Sequence, residues 1–266
     1  MKRLTDAAYW EENWWSQRRP ERLRLYRDVD FETVRLLREA AGPRRAQVLE
    51  LGAGGSRLLP YLARKFGHEV FGSDFSFGGC SLLRANLALQ RVRGNVVCED
   101  LFRSSLKGES FDVVYSAGLI EHFEDTSAAV AAHFQLLRPG GRLVLAVPNL
   151  RGLQGRIIHR FAPPQWKVHK VFGPQELAEM LNNSGLLDVR SGYLGSFSVR
   201  IMQSREWTSV HAWPAWVRLL VCSSMRLISG FISLGFRLSP WRPHSRQLSP
   251  AFFAAGRKPP ALAQAV

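Results

Sequence analysis

Residues Gln47 to Ser56 read Q-V-L-E-L-G-A-G-G-S. Val48, Leu49 and Leu51 around Glu50 form the pattern of a short buried strand. Gly52, Gly54 and Gly55 force a tight turn, and Leu58-Leu59-Pro60-Tyr61-Leu62 opens a helix. A strand, a glycine turn and a helix are how a doubly wound sheet opens a ligand crevice at its carboxyl edge. Glycine is needed there because a Cβ would collide with a ligand held against the backbone. The loop is not the G-x-G-x-x-G of a dinucleotide site, where a helix N-terminus faces a pyrophosphate. An acid, Glu50, stands just before Gly52 and Gly54. A carboxylate at the mouth repels phosphate and suits a cationic ligand.

Moving outward, His68 to Asp74 reads as a second strand ending in an acid, 24 positions after Glu50. At that separation an acid on the next parallel strand can take two ribose hydroxyls. Ser81 to Arg91 reads as a helix. Val96 to Phe102 gives a third strand containing Glu99 and Asp100, and Ser110 to Ser116 a fourth. Ala128 to Leu137 makes a helix stopped by Arg138-Pro139-Gly140-Gly141, and Arg142 to Pro148 is a fifth strand. Asp112 precedes the apolar part of its strand and reads as structural.

The acid-x-Gly-x-Gly loop, F-D-V-V at 111–114 followed by G-L-I-E-H-F at 118–123, and L-R-P-G-G-R-L-V-L at 137–145 occur in this order. Together they resemble the class I S-adenosylmethionine (SAM)-dependent methyltransferases; the third glycine of that family's loop is Ser56 here. The resemblance implies an α/β fold with a doubly wound, Rossmann-like seven-stranded sheet, and SAM as cofactor. It implies that Glu50, Gly52 and Gly54 hold the cofactor, with Asp74 on the ribose and Phe75 against the adenosine. Asp100 would accept from the adenine amino group, Leu101 would offer its backbone N–H, and Ser116 would approach the methionine part. Glu99, one register off, competes with Asp100.

His122 is the histidine beside the expected cleft. A neutral imidazole can take a hydroxyl proton near pH 7, which makes it the candidate general base for methyl transfer to oxygen. The competing reading is that it only orients its loop; His169 is the second candidate. No metal-ligand spacing stands out, and the site is expected to work without a metal ion.

With 266 residues and 46% hydrophobic content the chain can bury one α/β core with additions. Its formal net charge of +14 suits nucleic acid, an anionic membrane surface or an anionic substrate, or reflects a general arginine bias. Cys80, Cys98 and Cys222 are odd in number and lack zinc spacing, so they read as small core residues in a reducing, cytoplasmic compartment. The start, Met1-Lys2-Arg3-Leu4, does not read as a secretory signal. An N/D-P-P-Y/F loop, as used for amino methylation of bases, would fall where Tyr115-Ser116-Ala117-Gly118 stand. No Pro-Cys pair of the pyrimidine-C5 type exists either, so a nucleic-acid partner is not expected.

The chain divides into an N-terminal helical cap (1–42), a SAM-binding core (43–200) with an insertion at 150–172, a basic amphipathic helical insertion (201–247), and a final strand with tail (248–266). In the cap, Trp10 and Trp14 form a W-x-x-x-W pair and Asp30 is placed to cap a helix. The insertion and its H-K-V-F-G-P-Q-E-L exit resemble the ubiquinone-biosynthesis O-methyltransferase group. Val189 to Phe197 and Leu248 to Lys258 read as the last two strands. Between them, Trp213 to Leu238 puts Trp213, Trp216, Leu220, Leu227 and Phe231 on one helical face and Arg218, Arg226, Ser229, Ser233 and Arg237 on a second stripe. Arg218 and Arg226 interrupt it, which excludes a transmembrane span. A lid, a dimer helix and a peripheral contact with an anionic membrane surface on the inner face all remain open. The expected function is SAM-dependent methylation, at oxygen, of a small apolar or lipid-like acceptor. A soluble natural-product or sugar methyltransferase, and a non-catalytic SAM-binding or peripheral membrane protein, are the alternatives.

Overall fold

A computed structural model describes residues 2–15, 19–197, 213–239 and 243–261. The glycine-turn stretch supplies the central strand, β1 (Gln47–Leu51). On one side of it lie β2 (Glu69–Asp74) and β3 (Asn95–Cys98). On the other lie β4 (Phe111–Ala117), β5 (Leu137–Pro148), β7 (Ala251–Arg257) and β6 (Leu187–Leu194), giving the order β3-β2-β1-β4-β5-β7-β6. The first five strands are parallel, and β7 runs antiparallel to both β5 and β6. The order reverses at β1, so the crevice of a doubly wound sheet lies at the carboxyl ends of β1 and β4.

Helices cover both faces because the parallel strands are apolar on both sides. α2 (Asp28–Ala41), α3 (Leu58–Phe66) and α4 (Phe77–Gln90) pack with Val48, Val70, Val113 and Val144 on one face. α5 (Thr126–Leu136) and α8 (Pro174–Asn183) pack with Leu49, Val114, Leu143 and Phe252 on the other. α1 (Ala7–Trp15) rests on α4. The 150–172 insertion folds as α6 (Leu153–Phe161) and α7 (Pro163–Lys167), and the late insertion carries α9 (Ala215–Leu238). Residues 198–212, which include the start of that insertion and the last residues of the sheet-bearing segment, lie outside the described residues, as do the tail residues 262–266 and the side chain of Trp14.

Several boundaries move for local reasons. α2 begins at Asp28 rather than after a cap at Asp30, because the Asp28 carboxylate is needed elsewhere: it accepts the N–H of Val29, the N–H of Ser196 and the hydroxyl of Ser233. β3 stops at Cys98, four residues short of Phe102, where the Asp100 side chain accepts the Phe102 N–H and starts a 3-10 turn over Leu101–Arg103. β5 begins at Leu137, with Pro139-Gly140-Gly141 inside the strand. The pairing shifts register between Phe111 and Val113, and Gly140 sits at φ +77°. A Cβ on Gly141 would stand 2.9 Å from the carbonyl oxygens of Arg138 and Phe111, so only glycine fits that approach.

Phe252 is fully buried at the centre of one core layer, its ring 5.8 Å from that of Phe172. Phe252→Ala is expected to lower stability by about 3–5 kcal/mol, read as a shift in the midpoint of chemical denaturation.

Candidate functional site

The glycine turn is built by hydrogen bonds from three directions. The Asp74 carboxylate, at the end of β2, accepts the Gly54 N–H at 2.7 Å and the Ser76 N–H at 2.8 Å. The Ser76 hydroxyl then caps α4 through the Gly79 N–H. From α4, Asn86 donates to the carbonyls of Gly55 (2.9 Å) and Ser56 (3.0 Å). Gly52 sits at φ +68°, the left-handed region that glycine tolerates, with Leu119 at 3.1 Å from the place of a Cβ.

Glu50 is buried and accepts the Ser56 hydroxyl at 2.5 Å. Burial pushes Glu50 up to about 7, against the Ser56 bond and with help from the nearby Asp74 carboxylate. Burial likewise raises Asp74, opposed by its two N–H donors and by Arg3, while Glu11 of α1 adds to the rise. Two buried carboxylates, both raised and one of them raising the other, form a site a cation would relieve. Each oxygen of Asp74 has accepted one N–H and keeps a free lone pair for a further donor.

Further along the crevice, Glu99 and Asp100 part company. Glu99 accepts from the Ser104 hydroxyl (2.6 Å) and from the N–H and hydroxyl of Ser105 (both 2.7 Å), which commits it to its own loop. Asp100 pairs with Arg3 at 2.5 Å, and the Arg3 guanidinium lies 4.5 Å over the Phe75 ring. The N-terminal residues thus reach the crevice, held by bonds between Leu4 N–H and the His122 carbonyl and between Glu124 N–H and the Lys2 carbonyl. Ser116 is turned toward α5. His133 Nδ1 donates to the Ala129 carbonyl, which leaves Nε2 to accept the Ser116 hydroxyl at 2.9 Å.

His122 lies in a 3-10 turn, Ile120–His122, directly after β4. Its Nδ1 donates to the Val168 carbonyl at 2.8 Å, which leaves the lone pair on Nε2. The edge of Trp10 packs on its ring at 5.1 Å, and the His169 ring lies 4.4 Å away. Burial and the neighbouring His169 lower His122 to about 3, against the Val168 bond, so the ring is neutral at physiological pH. Its neighbour Glu121 is fully buried, with neither carboxylate oxygen bonded to another described residue. Burial pushes Glu121 up to about 8.

Glu121, His122 and His169 each turn one ligand atom to a common point, all within 4.8 Å of one another. Both histidines have Nδ1 tied to a carbonyl, His169 to Gln165 at 2.5 Å, an arrangement that orients Nε2 toward a cation. The cluster was not legible in the sequence, since 46 residues separate His122 from the carbonyl of Val168 that holds it. Arg3, Glu11 and Asn86 were likewise missed; a helical cap that precedes a glycine loop was the one signal pointing to the first two.

Residues 49–145, from β1 into β5, match the family described as methyltransferase domain. The ubiquinone biosynthesis O-methyltransferase of Xanthomonas axonopodis pv. citri is 32% identical over 194 residues, covering 68% of this chain and 79% of that protein. The chain belongs to this O-methyltransferase family. It is a SAM-dependent methyltransferase. The family member from Neisseria meningitidis serogroup C is 26% identical over 189 residues, covering 66% of this chain and 77% of its own length. Among solved structures, a phosphoethanolamine N-methyltransferase of Haemonchus contortus in complex with S-adenosylhomocysteine superposes with TM-score 0.58 at 17% identity. That match covers 86% of this chain and 52% of the other. The [4+2]-cyclase SpnF superposes with TM-score 0.57 at 15% identity, covering 87% and 82%. These two similarities establish the shared fold.

The paired buried acids of this methyltransferase fit a sulfonium cofactor. Its positive charge should depress Glu50 from about 7, so SAM binding should release protons below pH 7 and affinity should rise from about pH 5 to about pH 8, then level. Titration calorimetry in buffers of different ionisation enthalpy measures both.

Proposed function

We propose that this enzyme methylates a hydroxyl oxygen on a small, apolar, lipid-like acceptor, with His122 taking the hydroxyl proton. The observation that carries this reading is the fixed tautomer of His122. Val168 holds Nδ1–H, so a neutral Nε2 lone pair stands at the end of β4 beside the cofactor turn. When bound, SAM supplies an electrophilic methyl group on a positively charged sulfur. Glu50, Gly52, Gly54, Asp74, Phe75, Asp100 and Leu101 line the turn and the strand ends that would hold it. Of Ser116, only the backbone is placed to take part, because its hydroxyl serves His133. Arg3 must leave Asp100 and Phe75 for an adenine to take those partners.

The chain's own contribution to the chemical step is alignment and proton removal. The burial that lowers His122 also makes its imidazolium costly, and the Glu121 carboxyl, 4.0 Å from Nε2, is the near group that can offset that charge as it forms. An apolar acceptor suits the surroundings: Trp10 packs on the histidine, Phe123 follows it, and Trp166, whose carbonyl accepts the His169 N–H, belongs to an apolar cluster with Ile158 and Phe161. The names of the relatives support oxygen as the methylated atom. A soluble natural-product or sugar acceptor is the rival within the same chemistry.

His122→Ala is expected to cut kcat by about 10²–10⁴-fold while SAM affinity stays within about threefold of the parent value. Labelled methyl transfer into a fractionated cell extract identifies the acceptor. Label in the lipid fraction is the expected outcome, and label confined to polar metabolites would give the place to the rival. Equal turnover by His122→Ala and the parent would remove the histidine from the chemistry.

A further inference from the structure

Cys80 and Cys98 meet behind the segment that follows β2. Cys80 lies in the first turn of α4 and is fully buried. Cys98 ends β3 and, against its expected place in the core, is exposed. The parallel register of β2 and β3 pairs Cys98 with Asp74. The Cys80 sulfur stands 3.5 Å from the carbonyl oxygens of both Asp74 and Val97, and the Cys98 sulfur 3.8 Å from that of Phe75. Both thiols therefore border the same two peptide groups, and they act on one another: burial first, then the Cys98 thiol, raises Cys80. One thiol open to solvent beside a shielded one is an arrangement that can be oxidised in order.

Between the two sulfurs runs the backbone that shapes the cofactor turn. The Asp74 carbonyl also accepts the Glu99 N–H at 2.9 Å, and the Ser76 carbonyl accepts the Cys80 N–H at 3.0 Å. The Asp74 side chain holds Gly54, and the Ser76 hydroxyl caps α4. A disulfide requires sulfurs about 2.05 Å apart and Cα atoms about 4.4–6.8 Å apart. Closing one here takes both thiols off their carbonyl partners and draws the first turn of α4 toward the end of β3. Asp74, Phe75 and Ser76 lie between those two ends and must move with them.

We propose that Cys80 and Cys98 are an oxidation site whose disulfide weakens SAM binding. The oxidant is a peroxide. The Cys98 thiolate, reached from solvent, attacks one oxygen of hydrogen peroxide; the O–O bond breaks, hydroxide leaves and takes up the thiol proton as water, and Cys98 becomes a sulfenic acid. The Cys80 sulfur then attacks the Cys98 sulfur, the S–O bond breaks, and the hydroxyl leaves as water with the Cys80 proton. The two thiols lose two electrons, and the peroxide ends as two waters. The burial that holds the Cys80 proton makes the second step the slower one. The effect on affinity rests on the placement of the cofactor at Asp74 and Phe75 proposed above.

The test uses the full chain and its Cys222→Ser variant, which keeps two of the three cysteines. Each is treated with hydrogen peroxide and digested without reductant. A peptide pair joined through residues 80 and 98, two hydrogen atoms lighter than its parts, is the expected product by mass spectrometry. Cys80→Ser, treated with peroxide and dimedone, should carry the label on Cys98. Calorimetry with S-adenosylhomocysteine should show affinity at least about fivefold weaker after oxidation, restored by dithiothreitol, whereas Cys98→Ser should bind equally before and after peroxide. Absence of the cross-link from the folded chain overturns the proposal. So does a cross-link that leaves affinity unchanged, or an equal loss of affinity in Cys98→Ser. A reduced Asp74→Ala chain that binds the cofactor as the parent does would sink the cofactor placement instead, and leave the cross-link standing.

Discussion

The Asp74 carboxylate joins three elements at one point. It takes an N–H from the glycine turn after β1 and another from Ser76, whose hydroxyl caps α4. Backbone donors in a tight turn have no ladder to pair with, and buried they must find a partner. Here one acid satisfies two of them, and Asn86 satisfies two carbonyls of the same loop. The acid itself is buried and therefore raised, as is Glu50 beside it. The crevice is thus held in shape by groups that favour the arrival of a positive charge.

The other half of the site depends on the 150–172 insertion. His122 is delivered by β4, but its tautomer is set by Val168, and its neighbour His169 is oriented by Gln165. The insertion is anchored in turn by close packing: a Cβ on Gly155 would stand 1.8 Å from the Leu150 carbonyl oxygen. Arg151 and Glu176 pair across its exit. A segment whose sequence reads only as apolar and basic becomes, once folded, the part that defines which nitrogen of His122 is free.

The shared sheet leaves the reaction open. At 15–17% identity the same architecture carries an N-methyltransferase and a [4+2]-cyclase. What those folds have in common is a crevice at the strand ends; what differs is the material built over it. In this chain that material is α1 with the preceding residues, α6, α7 and α9. Arg3 on Phe75 and Asp100, Trp10 on His122, and the exposed apolar face of α9 are features of these additions.

Local pattern was enough for the sheet and the cofactor turn. Alternating apolar runs, a glycine turn after an acid, and acids at strand ends are short-range signals, because strand burial and turn geometry are dictated within a few residues. Glu50 and Asp74 therefore stood out by position, whereas Asp100 was named through the family resemblance with Glu99 in competition, and the structure ties Glu99 to Ser104 and Ser105. α9 was equally legible as a helix, but the direction of its apolar face was not: Ser233 turns inward only because Asp28, 205 residues away, waits for it. The same holds for Glu121, His122 and His169, which meet through a crossing of β4 with an insertion. A sequence specifies periodicity along the chain; which face is buried, which tautomer is held and which acid loses its water depend on neighbours brought from elsewhere.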